Sequence, residues 1–130
     1  VKIQNVTTSK RATDLLTREV KIAFSDEPDD TLTARVRVTG VSEELQRRYQ
    51  SLDFAALDRL EDPDDPDNEV AVEARRVLAS FLAELVAEWD LQDDDGPIPP
   101  TVEALERQGF LTLLVLVAAL GEELKRLPLA

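Results

Sequence analysis

Between Phe110 and Leu120, ten of eleven residues are apolar (FLTLLVLVAAL), interrupted only by Thr112. At about 100° per residue, such a run covers the whole circumference of a helix instead of one face. A helix apolar on every side must be enclosed by its own chain, by a bilayer or by another protein. It is too short for a bilayer, since about 20 apolar residues are needed to cross one. The chain has 130 residues, the length of one domain, and a domain of that size has little material with which to surround a helix completely. Two expectations follow: a central core helix, or a helix whose outer face docks on a second copy or a partner. The candidate interface residues are Phe110, Leu111, Leu113, Leu114, Val117, Leu120 and Leu124. Four or five additional buried side chains at about 1.5–3 kcal/mol each would contribute roughly 6–12 kcal/mol of gross burial, enough after association costs to hold a complex.

The rest of the chain must supply what packs on that helix. The first sixteen residues read as irregular, with Ile3 and Val6 as their apolar anchors before Leu15 and Leu16. From Thr17 the period becomes two. Val20, Ile22 and Phe24 alternate with Glu19, Lys21 and Ala23; after a turn-rich Ser25–Asp30 stretch, Leu32, Ala34, Val36 and Val38 alternate with Thr33, Arg35 and Arg37. This predicts a β-hairpin with one apolar face and with Arg35 and Arg37 on a solvated one. A lone hairpin is marginal, so helices must cover its apolar face or another chain must extend it. Gly40 breaks the second strand, Ser42 can cap a helix to about Ser51, and Asp53 can cap a shorter one carrying Phe54, Leu57 and Leu60. Residues 61–69 (EDPDDPDNE) read as an irregular acidic linker.

A stripe of Val70, Ala74, Val77, Leu78, Phe81, Leu82, Leu85 and Trp89 then predicts one amphipathic helix over 69–91, stopped by Asp93, Asp94, Asp95, Gly96 and Pro97. Thr101 can cap a short helix ending at Gly109, and the apolar helix follows, closed by Pro128. The expected fold is therefore α+β and mostly α-helical: a single domain with an N-terminal β-hairpin packed against four to five helices. Its parts are a hairpin segment at 1–40, short helices at 41–60, the acidic linker at 61–69, the long helix at 69–91 and C-terminal helices at 101–127.

Composition removes most chemistries. With neither Cys nor His, the chain has no thiol nucleophile, no imidazole base and none of the usual zinc or haem ligands. Its four glycines stand far apart at 40, 96, 109 and 121 and form no phosphate-binding loop. If Gly96 is taken as the sixth position of a calcium loop, Leu91 and Val102 fall where oxygen ligands belong, so that motif fails. No pair of carboxylates is singled out for acid–base work. The expectation is a protein without catalytic residues, cofactor or metal. Net charge is −12 and lies wholly in the second half: residues 1–60 carry ten basic and ten acidic groups, residues 61–130 five and seventeen. That half repels phosphate backbones, which disfavours nucleic acid, and suits solubilising a client or meeting a basic partner. No cationic segment leads into an apolar core near Val1, so the expected compartment is cytoplasmic, away from membranes.

From Glu88 to Leu105 the sequence reads EWDLQDDDGPIPPTVEAL. This resembles the tail assembly chaperones of long-tailed bacteriophages and related prophages, in which a helix ends in a Trp-containing turn, followed by acidic residues, Gly, a Pro-rich step, Thr and a short helix. The matching positions include Trp89, Asp90, Leu91, Gly96, Pro100 and Thr101, and TLTARVRVTGVSEELQRR (Thr31 to Arg48) is similar in style to the family's strand, turn and helix start. The resemblance implies non-covalent binding and solubilising of the tape measure protein, assistance to tail tube assembly through the tail tube protein, and self-association. It also implies a place in the cytoplasm of the infected bacterial host and absence from the mature virion. A longer frameshifted form often accompanies the short one in that family, and this chain would be the short form or a version lacking the extension. Other classes compatible with the same residues are an acidic secretion-type chaperone, a tail structural or connector protein, and an acidic DNA mimic. The mimic requires a spaced acidic array on a rigid surface, whereas here much of the charge lies beside Pro and Gly.

Overall fold

A computed structural model describes residues 1–7, 9, 11, 16–37 and 42–125. Two strands, β1 (Thr17–Ala23) and β2 (Thr31–Arg37), pair antiparallel with Val20 opposite Ala34 and Ile22 opposite Leu32. A single 3₁₀ turn, Pro28–Asp30, links them, and the Phe24 amide donates to the Asp30 carbonyl at 2.9 Å to close the hairpin. Val20, Leu32, Ala34 and Val36 are buried as the alternation predicts, while Phe24 is exposed at the strand end. Val38 lies outside the described residues.

Six helices are described. Helix α1 (Ile3–Thr7) falls in the segment expected to be irregular. It is followed by α2 (Ser42–Gln50), α3 (Phe54–Asp58), α4 (Glu69–Leu85), α5 (Val102–Glu106) and α6 (Phe110–Lys125). The caps expected at Asp53 and Thr101 are present: the Asp53 carboxylate accepts from Ala56 N at 3.0 Å and the Thr101 hydroxyl from Ala104 N at 3.3 Å. The cap expected from Ser42 lies at the border of the described residues, because α2 begins there.

The stretch expected as one helix over 69–91 divides at Leu85. Val86–Trp89 form strand β3, antiparallel to β2, so that the hairpin becomes a three-stranded sheet of order β1-β2-β3. The cause is a distant side chain. Arg37 Nη1 donates to the carbonyls of Ala83, Glu84 and Val86 at 3.1, 3.0 and 2.8 Å, satisfying acceptors that the end of a helix leaves open and placing positive charge at the negative end of the α4 dipole. Arg37, expected on a solvated face, is therefore a helix terminator. Beyond it the β-branched Val86 takes extended geometry (φ −93°, ψ 123°); its amide donates back to the Leu82 carbonyl, its own carbonyl accepts from Arg37, and it pairs with Val36 of β2.

The acidic 61–69 segment, expected to be irregular, is a series of turns with two anchoring side chains. The Asp65 amide donates to the Asp62 carbonyl and the Asn68 amide to the Asp65 carbonyl. Asn68 caps α4 through its side-chain oxygen, which accepts from Ala71 N, and Asp64 Oδ1 accepts from the Phe110 amide at 2.8 Å, at the start of α6.

The apolar helix α6 is largely enclosed, and the expectation of a bare outer face is corrected accordingly. Phe110, Leu113, Leu114, Val117, Leu120 and Leu124 are all buried within this chain, leaving Leu111 (68% exposed) and Val115 (43%) as its exposed large apolar side chains. The buried six share one core with Leu78, Leu82 and Leu85 of α4, Leu45 and Tyr49 of α2, Leu105 of α5 and the buried face of the sheet. The long helix α4 and the shorter α2 supply most of the cover of α6. Gly121 allows the closest approach, since a Cβ there would overlap the ring of Tyr49. No helix among the described residues is long and apolar enough to cross a membrane.

Candidate partner-binding site

Exposed apolar side chains stand on two helices, Leu111 and Val115 on α6 and Val70 and Val77 on α4, and those of α4 line a groove. The large side chains of the α4 stripe are buried from Leu78 onward, at Leu78, Phe81, Leu82 and Leu85. In its first two turns Ala71 is buried and Ala74 packs against the core, but Val70 and Val77 remain 66% and 45% exposed. With Ala74 they form a continuous row at i, i+4 and i+7. Opposite stand Leu52, at the junction of α2 and α3, and Leu57 of α3, a helix held in place by its Asp53 cap. The groove between them has a volume of about 480 Å³ and almost wholly apolar walls, with the Glu69 and Glu73 side chains along its rim. A smaller recess of about 170 Å³ continues it past Leu52 and Val77 to Phe81 and Arg48.

Charge around the groove is arranged by surface pairs. Arg76 lies 3.7 Å from Glu73 and 3.3 Å from Glu106, and Arg48 pairs with Glu84. Such exposed pairs add little stability. They leave Glu69 and Asp67 at the mouth of the α4 N-terminus without an opposing ion pair among the described residues, and the groove's open end is acidic.

Of the residues expected to form an interface, six are core and Leu111 alone is exposed. The Trp89–Leu105 stretch forms a compact turn. Trp89 closes β3, half-buried, and its indole Nε1 donates to the Ile98 carbonyl at 2.6 Å. The Asp90 carboxylate accepts from Thr33 N at 2.8 Å, tying the turn to β2. Leu91 accepts from the Ile98 amide, and two short strands, Gln92–Asp93 and Gly96–Pro97, pair beyond it. Gly96 sits at φ +123°, where a side chain would be strained. Pro100 follows, and Thr101 caps α5. Trp89, Asp90, Leu91, Gly96, Pro100 and Thr101 thus jointly build the return from the sheet to α5, and their roles are architectural.

Sequence reasoning did not single out Leu52, Leu57, Val70 and Val77 as a surface. The signal was present, because the α4 stripe begins two turns before its first large core residue, but which end stays uncovered depends on where α3 lies. Among the described residues no three Asp or Glu side chains converge in a way that could hold a metal ion. Tyr49 has its hydroxyl pushed up to about 12 by burial, and then by its hydrogen bond to Glu122 Oε1 (2.9 Å) and that carboxylate's charge. A phenol held protonated in this way between helices is a structural contact. No family model, no curated protein and no solved structure matches the chain.

Proposed function

We propose that this chain is a non-enzymatic chaperone of the phage tail assembly type, which binds an apolar, helical segment of a client such as a tape measure protein and keeps it in solution before tail tube subunits polymerise around it. The observation that carries this proposal is the groove between α3 and α4. Its row of Val70, Ala74 and Val77 faces Leu52 and Leu57 and matches the i, i+3/i+4, i+7 spacing of an amphipathic helix laid into it. Three or four client side chains at about 1.5–3 kcal/mol each would offset association costs at modest affinity, as suits a client that must later be released. The acidic rim and the net charge of −12 favour a client helix with basic flanks and keep the complex dispersed. Binding and release in the bacterial cytoplasm, before the virion is complete, are part of the same proposal.

Co-expression with a tape measure protein tests this. The expected result is a soluble complex that co-purifies, and its loss with the double variant Val70→Glu/Val77→Glu while circular dichroism shows the variant folded. A client that remains insoluble, or that is rescued equally by the double variant, would remove the proposal.

A further inference from the structure

We infer that the outer edge of β1 joins two copies of this chain into one continuous six-stranded sheet, with the two β1 strands antiparallel about Val20. The backbone fixes which residues can take part. Phe24 donates to Asp30 across the hairpin, and with Val20 opposite Ala34 and Ile22 opposite Leu32, the even-numbered residues of β1 exchange hydrogen bonds with β2. The N–H and C=O groups of Glu19, Lys21 and Ala23 therefore point the other way. β1 is the terminal strand of its sheet, so this row is a template for another strand.

The side chains select both the partner and the register. An antiparallel copy centred on Val20 sets Glu19 opposite the other copy's Lys21, and Lys21 opposite its Glu19. Glu19 already has Arg35 beside it in β2, so its carboxylate would lie between two cations. Moving the centre to Glu19 or to Lys21 would place like charges face to face. On the other face Val20 meets Val20 and Arg18 meets Ile22, while Leu16 (45% exposed) and Phe24 (46% exposed), which flank β1 at its two ends, come to the same ends of the joined strands. Opposite charges and apolar contacts across strands are stabilising, and like charges directly opposed are not. The contact is isologous and closes as a dimer. Because it rests on the sheet edge and not on the α3–α4 groove, it stands or falls separately from client binding.

Sedimentation equilibrium over a wide concentration range tests it. The wild type should show a reversible monomer–dimer equilibrium with a Kd on the order of micromolar, given the small contact. Glu19→Lys and Lys21→Glu should each weaken dimerisation by roughly tenfold to thirtyfold, since two symmetry-related pairs turn repulsive at once. An equimolar mixture of the two variants should form a heterodimer, because every cross-strand pair is then opposite in sign, and the double variant Glu19→Lys/Lys21→Glu should restore the homodimer. In the wild type, the amides of Glu19 and Lys21 should exchange with deuterium more slowly as concentration rises. A wild type that stays monomeric, a dimer indifferent to both charge changes, variants that fail to recover on mixing, or amides whose exchange ignores concentration would each overturn the inference.

Discussion

Gly121→Ala adds one methyl group at the tightest point of the structure. A Cβ at Gly121 would fall within 3.0 Å of three ring carbons of Tyr49, the farthest, Cζ, at 2.6 Å. Relief to ordinary contact, 3.4 Å or more, requires the ring to retreat by roughly 1.5 Å or α6 to move away. The ring has little freedom, being 6% exposed with Phe54 edge-on at 5.5 Å and Phe81 at 6.1 Å. Overpacking of this kind typically costs about 1–3 kcal/mol. Displacing the ring also strains the Tyr49–Glu122 hydrogen bond, worth about 1 kcal/mol, while alanine returns about 1 kcal/mol of helix propensity. The net expectation is a loss of about 1–3 kcal/mol. Urea unfolding followed by fluorescence of Trp89, the single tryptophan, measures it as a lower midpoint at unchanged slope. In a Tyr49→Ala background the same substitution should become neutral or stabilising, because the methyl group then has space. An unchanged or raised midpoint in the wild-type background would refute the close approach.

Tyr49 is the single tyrosine, so absorbance at the tyrosinate band reports it alone. It should titrate at about 12 in the folded chain and near 10 in urea. Since the folded state holds that proton more tightly, the associated stability is complete below about pH 10 and declines as pH rises toward 12; Tyr49→Phe should show a shallower decline over that window. Arg37→Ala should cost about 1–3 kcal/mol by leaving the last carbonyls of α4 unsatisfied, and Arg37→Lys should recover only part of it in thermal denaturation. Leu113→Ala should cost about 2–5 kcal/mol and Leu111→Ala less than about 0.5 kcal/mol, a contrast that checks how α6 is enclosed.

Local rules account for the elements that the sequence made legible. The hairpin follows from strict alternation, α3 and α5 from Asp53 and Thr101 ahead of apolar runs, and α6 from its nearly continuous apolar stretch. The errors share a cause in contacts between residues far apart in the chain. Nothing near Leu85 marks the end of α4, because the terminating guanidinium belongs to Arg37. The dense carboxylates of 61–69 suggest solvation, and only the meeting of Asp64 with the Phe110 amide shows that this segment anchors α6. The surplus apolar surface inferred from Phe110–Leu120 is reduced there to Leu111 and Val115. Six of the seven residues proposed for it are consumed by the core, and a second uncovered row, Val70 to Val77, belongs to a stripe that looked like core throughout.

The central claim is that the α3–α4 groove is where a helical client lies, and methyl resonances observe that directly. With the Leu and Val methyl groups labelled, titration with a basic-flanked amphipathic helix from a tape measure protein should shift Leu52, Leu57, Val70 and Val77 together, in a saturable manner. Leu111 and Val115 of α6 should stay in place. Shifts confined to Leu111 and Val115, or no shift at any of the six, would contradict the account.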